Sequence, residues 1–443
     1  MIHPTFKPLL LGACASLALA ASTTLLARTV GEPVTAASTG TVYALTNAQV
    51  VDVDTGKAQS QAVVVVADGR IQALGSAASV KIPAGAKLVD MRGKYLVPGL
   101  MNAHVHLGLK LPGLEGLQLA NENLASQALR EAANARKSLL AGTTTVRLVG
   151  EENSVDFDLR RAIDSGQVPG PRIKTAGTII AITGGHGYAE ADGADALVTL
   201  ARQQIKQGAD VIKIATSGGI SDVRGSIAGA VMTDAELGGL IDAVHRLGLK
   251  VTAHNGSPLA AKQALDLGID GFEHGYFLTP DNLKQMKAQG AWLVPTAVVS
   301  QPGALEFYKK IGSPPWYLER VKSVGRDHWA MLQTAIRLGV NIALGTDQFP
   351  FEPNDGTVAT VAEAELYAKA GMTPLQALQA ATIQNAKMMG IEDTVGRLKV
   401  GQYADIIAVD ANPAQDISAL RSISFVMKNG TIYRDDARDI GRD

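Results

Sequence analysis

The chain of 443 residues has a single cysteine, Cys14. No intrachain disulfide can form, so stability must come from the core. Any metal centre must use His, carboxylate or a modified Lys rather than paired thiolates. Excess charge of one sign is also missing. Asp, Glu, Lys and Arg make up 19% of the chain and nearly cancel, leaving a formal net charge of −1. No basic face stands out, so no nucleic-acid partner is expected. Beyond the N-terminus no stretch is long and apolar enough for a transmembrane helix. What is present is a hydrophobic content of 46%, enough for a large core, and 46 glycines, which suit a fold with many tight turns.

The N-terminus reads as an export signal. Lys7 supplies a short positive region, the stretch from Leu9 to Ala20 is apolar but too short to span a bilayer, and Ala18-Leu19-Ala20 is a small-x-small cleavage site. Residues 1–20 are therefore expected to be removed, and the mature protein to be periplasmic or secreted. In a rival reading, Leu11-Gly12-Ala13-Cys14 is a lipoprotein box that anchors Cys14 in a membrane. The very short apolar run before Cys14 argues against it. Residues 21–40, rich in Ala, Ser and Thr, read as a flexible lead-in.

Residues 41–94 show short strands and turns, with Asp68-Gly69-Arg70 as a hairpin turn. From 95 to 390 the texture changes to strand-then-helix repeats. The expected strands are 95–104, 144–148, 172–176, 211–215, 250–253, 271–273, 292–295 and 341–344. Helical patterns lie between them, such as 123–140, 194–207, 234–247, 258–267, 281–289 and 326–338. From 391 to 443 the chain returns to short strands. This order predicts an α/β fold: a distorted TIM-type (β/α)8 barrel with a small β-sandwich domain formed by 41–94 and 391–443.

The chemistry is concentrated at strand ends. Of eight histidines, His104 and His106 close the first expected barrel strand as Asn102-Ala103-His104-Val105-His106. Alternation along a strand sends both imidazoles to one face, where they can share a metal. His254 ends the fifth strand, His274 the sixth, and Asp347 follows the eighth in Gly345-Thr346-Asp347. The C-terminal strand ends of a TIM-type barrel form its active face. Five ligand-type residues on four such ends are hard to explain by packing alone. Lys213 lies in the apolar fourth strand Val211-Ile212-Lys213-Ile214. A buried Lys is either paired with a carboxylate or shifted towards the neutral amine. The neutral amine can react with carbon dioxide to give a carbamate, which can bridge two cations.

These residues resemble the amidohydrolase superfamily. The likeness rests on His104-Val105-His106 after Val97-Pro98-Gly99-Leu100, then on Lys213, His254, His274 and Gly345-Thr346-Asp347. Within it the chain resembles the imidazolonepropionase-related group, and there the binuclear Xaa-Pro and Xaa-Arg/Lys dipeptidases. Thr183-Gly184-Gly185-His186-Gly187 and Ser217-Gly218-Gly219 carry that finer match, and ochratoxin-hydrolysing amidohydrolases resemble the same branch. The resemblance implies two divalent metals, with zinc expected, and carboxylated Lys213 plus a hydroxide as bridges. His104, His106 and Asp347 would hold one metal, and His254 and His274 the other. Asp347 would shuttle the proton, and His186 would donate a hydrogen bond to the scissile carbonyl oxygen. It also implies a homo-oligomer.

Substrate contacts are less marked in the sequence. Arg224 could hold a substrate carboxylate, since a guanidinium matches its geometry. Tyr188 and Trp316 could line the pocket, and 301–317 could be a lid or a packed loop. The expected substrate is a peptide or N-acyl amino acid with a free carboxylate, ochratoxin-type amides included. Alternatives are a cyclic amide, a lactone or an amidine, or a barrel retained only for binding. Deamination is disfavoured because Asn255-Gly256-Ser257-Pro258 follows His254 where an acid would serve, and because deaminases of this superfamily lack the strand-four Lys ligand.

Overall fold

The expected first barrel strand breaks in two at Gly99. In the computed structural model, which describes residues 40–347 and 357–441, Tyr95–Pro98 joins a flanking sheet and Leu100–Val105 begins the barrel. The cause is local. Pro98 has no amide hydrogen to offer a ladder, and the Gly99 N–H turns instead to the carbonyl of Asp405. A Cβ on Gly99 would fall 2.2 Å from Thr144 Oγ1. Only glycine lets the chain cross so close to the second barrel strand. The expected export segment 1–20, with Cys14, and residues 21–39 of the expected lead-in lie outside the described residues. Among those described, no helix is long and apolar enough to cross a membrane.

Eight parallel strands surround the barrel axis: Leu100–Val105, Thr143–Leu148, Arg172–Thr175, Ile212–Ala215, Val251–Asn255, Gly271–His274, Trp292–Val294 and Asn341–Ile342. Ladders join the first three and the last five. Isolated backbone bonds rather than ladders cross the two seams. The Asp210 N–H donates to the Thr175 carbonyl at 2.7 Å, and the Ala103 N–H to the Leu344 carbonyl at 2.8 Å. The first two strands and the fourth to sixth are buried on both faces, as a helix-covered parallel sheet requires. The helices start where caps allow. Thr233 and Glu236 form a capping box at Asp234–His245, Ser257 caps Pro258–Asp266, and Thr279 caps Pro280–Gln289.

The segment 301–317 is largely helical and packed rather than a loop. Pro302–Lys310 is a helix, and Pro315–Leu338 begins a long one. Each starts with a proline, whose missing N–H costs nothing at that position. Phe307, Tyr308 and Tyr317 are buried there in one cluster with Tyr276, Val321 and Val324. Burial of those rings holds the segment down.

The N- and C-terminal segments meet in a single eight-stranded sheet. Tyr95–Pro98 pairs antiparallel with Ile406–Val409, Val97 opposite Ile407. Alternation divides that last strand between two cores. Ile406 and Ala408 pack with Leu45, Val64, Ile71 and Leu96, whereas Ile407 and Val409 pack into the barrel's core. The turn at Asp68 and Gly69 has positive φ at both residues, as a tight hairpin demands.

Candidate metal centre

The strand ends bring four imidazoles and two further ionisable groups together. His104 and His106 come from the first strand, Lys213 from the fourth, His254 from the fifth and His274 from the sixth, while Asp347 follows the eighth. Ligand atoms of His104, His274 and Asp347 lie within 4.8 Å of one another. The His104 and His106 Nε2 atoms are 3.1 Å apart, and each is within 3.4 Å of Asp347 Oδ1. The His254 and His274 rings are 4.6 Å apart between centroids, and the His104 and His274 rings 4.9 Å. Backbone strain marks the same place. His274, Thr296 and Asp347 all have φ between 50° and 66°, a region that costs a non-glycine residue about 1–3 kcal/mol. The His274 Nδ1–Thr296 Oγ1 hydrogen bond, 2.7 Å, joins two of the three.

Outer hydrogen bonds settle which nitrogens are bare. A carbonyl only accepts, so His106 Nδ1, 2.6 Å from the Gly150 oxygen, carries the proton and its Nε2 does not. The carboxylate of Glu273 fixes His104 in the same way, at 2.8 Å from Nδ1. His254 is reversed. Its Nε2 donates to the Gly218 carbonyl at 3.2 Å, leaving a bare, buried Nδ1 with no partner. Lone pairs facing each other, and one with nothing to accept from, are the donor set of a cation site. The residues present therefore fit a metal.

The electrostatics agree. Burial pushes the His106, His254 and His274 imidazoles below their usual range and so towards the neutral, ligating form. Burial alone would raise the Asp347 carboxyl, but His104 and His106 outweigh it and hold it well below the ordinary carboxylate range. Lys213 is 1% exposed and has no hydrogen-bond or ion-pair partner among the described residues. Burial pushes its ammonium down to about 8. Glu273 and Asp347 act on it electrostatically and oppose that shift.

Two supporting residues escaped the sequence reading. Glu273 precedes the candidate ligand His274 on the sixth strand, and Arg147 lies on the second. Glu273 Oε1 accepts from Arg147 Nη2 at 2.5 Å and from Thr252 Oγ1 at 2.6 Å, while Oε2 holds His104. Arg147 Nε also donates to the Ala103 carbonyl at 2.6 Å. Burial would raise the Glu273 carboxyl, but Arg147 and His104 keep it well below the usual range.

A cavity of about 280 Å³ opens over this centre. His186, Tyr188, Tyr276, Tyr317, Ile220 and Asp222 are among the residues that line it. His186 stands 4.2 Å from the His254 ring and binds Asp222 Oδ1 through Nδ1 at 2.8 Å. Asp222 Oδ2 in turn takes the Gly219 N–H at 2.6 Å. A Cβ on Gly219 would fall 2.4 Å from the His186 ring, so this glycine makes room for the imidazole. Tyr276 stacks on His274 at 5.2 Å, and its buried hydroxyl has no partner. Arg224 is exposed and does not line the cavity, because its loop turns the side chain to solvent. Trp316 is also off the cavity, and its helical neighbour Tyr317 takes that place.

Comparisons with known proteins point the same way. Ochratoxinase of Aspergillus niger is 26% identical over 417 residues, covering 86% of this chain and 84% of that protein. A solved Xaa-Pro dipeptidase with methionine bound in its active site has a TM-score of 0.82 at 30% identity, covering 89% of this chain and 100% of that one. A prolidase solved in complex with N-methylphosphonate-L-proline gives 0.81 at 27% identity with the same coverage. The profile of one family matches residues 95–433, from the last strand before the barrel to the C-terminal sheet. The chain belongs to the amidohydrolase family.

Proposed function

We propose that this protein is an exported, binuclear metal-dependent amidohydrolase that cleaves an amide or peptide bond and releases a C-terminal amino acid. The observation that carries the reading is the set of imidazoles gathered with Asp347, some with bare nitrogens, beside a buried lysine with no hydrogen-bond partner among the described residues. His104, His106 and Asp347 would hold one cation and His254 and His274 the other. Lys213 would touch both as a carbamate. Its neutral Nζ attacks the carbon of carbon dioxide, an N–C bond forms and a proton leaves to solvent. The apolar strand around it favours the neutral amine this requires. Bound divalent ions, with zinc expected, lower the pKa of water and neutralise charge building on the scissile carbonyl.

The chain's own groups do the rest. Asp347 takes the proton of the attacking water and passes it to the leaving nitrogen as the C–N bond breaks. Asp222 holds the His186 ring through Nδ1, which aims Nε2 at the cavity, and a proton there would donate a hydrogen bond to the carbonyl oxygen. The strained backbone at Asp347 and His274 keeps both side chains aimed before substrate arrives. Solved relatives that hold methionine, or a phosphonate on the nitrogen of proline, support a substrate whose leaving part is an amino acid. Export rests on Lys7 and the apolar stretch that follows it. Assembly into a homo-oligomer belongs to the same proposal and is read by sedimentation.

The test is amino-acid release by the zinc-loaded mature protein from a library of dipeptides and N-acyl amino acids, with a chelator control. Chelator-sensitive release of the C-terminal residue is expected. Full metal occupancy without release from any amide would overturn it. Lys213→Ala should lose one metal and most activity. Two bound metals and near-normal rates in that variant would sink the carbamate bridge.

A further inference from the structure

The cavity over the metal centre adjoins a second chamber of about 270 Å³. The two share His106, Leu109, Lys110 and Tyr188. Their walls differ. The first offers Leu111, Ile179, Ile220, Tyr276 and Tyr317. The second is polar, with Glu151, Glu152 and the backbone of Gly108 and Gly150. Lys110 stands where they meet.

A substrate that leaves as an amino acid brings a free carboxylate, which needs a cationic partner near the bond that breaks. Arg224 faces solvent. Arg320 holds the carbonyls of Gly219 and Gly225 at 2.7 and 3.2 Å, so its guanidinium braces a loop. Among the described residues lining the two chambers, Lys110 and Lys213 carry the ammonium groups, and Lys213 belongs to the metal centre. Lys110 Nζ lies 3.0 Å from Glu152 Oε2, and the two side chains are 21% and 39% exposed. Ion pairs with that much solvent access are weak and exchange partners readily. Glu151 points its two oxygens at the backbone N–H groups of Leu107 and Gly108, and the ion pair of Lys110 is with Glu152.

Resting on the proposed amino-acid-releasing activity, we propose that Lys110 is the anchor for the substrate carboxylate, and that Glu152 is its resting partner, displaced when the carboxylate binds. This sets a direction for the substrate. The carboxylate end lies towards the polar chamber, and the acyl group lies against Tyr276 and Tyr317.

The experiment compares kcat and KM on one N-acyl amino acid and on its C-terminal carboxamide, with metal content checked for each protein. The wild type should prefer the acid. Lys110→Met should raise KM for the acid about 10- to 100-fold, the scale of one charge-assisted hydrogen bond, with far less change on the carboxamide, so the preference collapses. Lys110→Arg should restore most of it. Glu152→Gln should lower KM for the acid, because a competitor for Lys110 is gone. A structural ion pair predicts the opposite, since both partners would then impair the enzyme alike. A preference for the acid that survives Lys110→Met, or a Glu152→Gln variant as impaired as Lys110→Met, overturns the anchor and leaves the amino-acid-releasing activity standing. A wild type that cleaves carboxamide and acid equally well overturns the carboxylate requirement itself.

Discussion

Replacing Glu273 by Gln tests whether a residue outside the ligand set governs metal binding. The change keeps the shape and removes the charge. In the native site Glu273 Oε2 accepts from His104 Nδ1 at 2.8 Å, and Oε1 accepts from Arg147 and Thr252. Glutamine has one acceptor atom, so either His104 or Arg147 loses its partner. The two members of the Arg147–Glu273 pair are 6% and 0% exposed. Stranding a buried guanidinium costs about 3–5 kcal/mol. Freeing the His104 ring lets its tautomer and orientation vary, which lowers metal affinity about 10- to 100-fold.

The two effects separate in a double variant. Removing both charges, as in Glu273→Gln with Arg147→Met, relieves the stranded guanidinium, and urea unfolding of the metal-free protein should recover much of the lost stability. Metal affinity, read by equilibrium dialysis against a competing chelator, should stay low, because the carboxylate behind His104 is still missing. Zinc affinity of Glu273→Gln within twofold of the wild type would refute the reasoning. So would an affinity restored together with stability in the double variant.

Three further outcomes follow from the site. Burial lowers Lys213 from 10.5 to about 8, so between those values the unfolded chain binds more protons than the folded one. Metal-free protein in carbon-dioxide-free buffer should therefore gain stability as pH rises through that window, by roughly 3 kcal/mol in total, with the full penalty present below pH 8. Lys213→Met should lack that rise in denaturant unfolding, and a wild-type curve as flat as the variant's would show that the ammonium is solvated. Asp222→Asn removes the charge behind His186 and should lower kcat on the order of 10²-fold with metal content unchanged. Its effect should not add to that of His186→Ala, and full additivity in steady-state kinetics would separate the two residues. Gly219→Ala places a Cβ where the His186 ring now lies. It should reproduce the His186→Ala kinetics while leaving both the fold, by circular dichroism, and the metal content intact; native rates would mean the ring has room to move.

Some of this molecule is written locally and some is not. The strand-then-helix texture, the helix caps and the turn at Asp68-Gly69 depend on neighbours a few residues away, so they can be read from the chain. The same holds for His104 and His106, because period-2 alternation puts both on one face, and for Lys213, because a charge inside an apolar strand stands out. The break at Gly99 was missed because it depends on Thr144, which only the adjacent strand brings near. The helical packing of 301–317 was missed because it rests on Tyr276 and other distant rings. Arg147 and Glu273 come from different strands, 126 positions apart, and neither sits in a motif. Lys110 with Glu152, and Asp222 with His186, are likewise joined across loops. The sequence by itself determined which chemical groups stand at the strand ends, since strand periodicity is a property of the backbone. Only the tertiary structure decided which imidazole nitrogens are bare, which lysine lacks a partner and which arginine faces solvent. Those depend on register and loop path around the barrel, where partners are chosen by position in space.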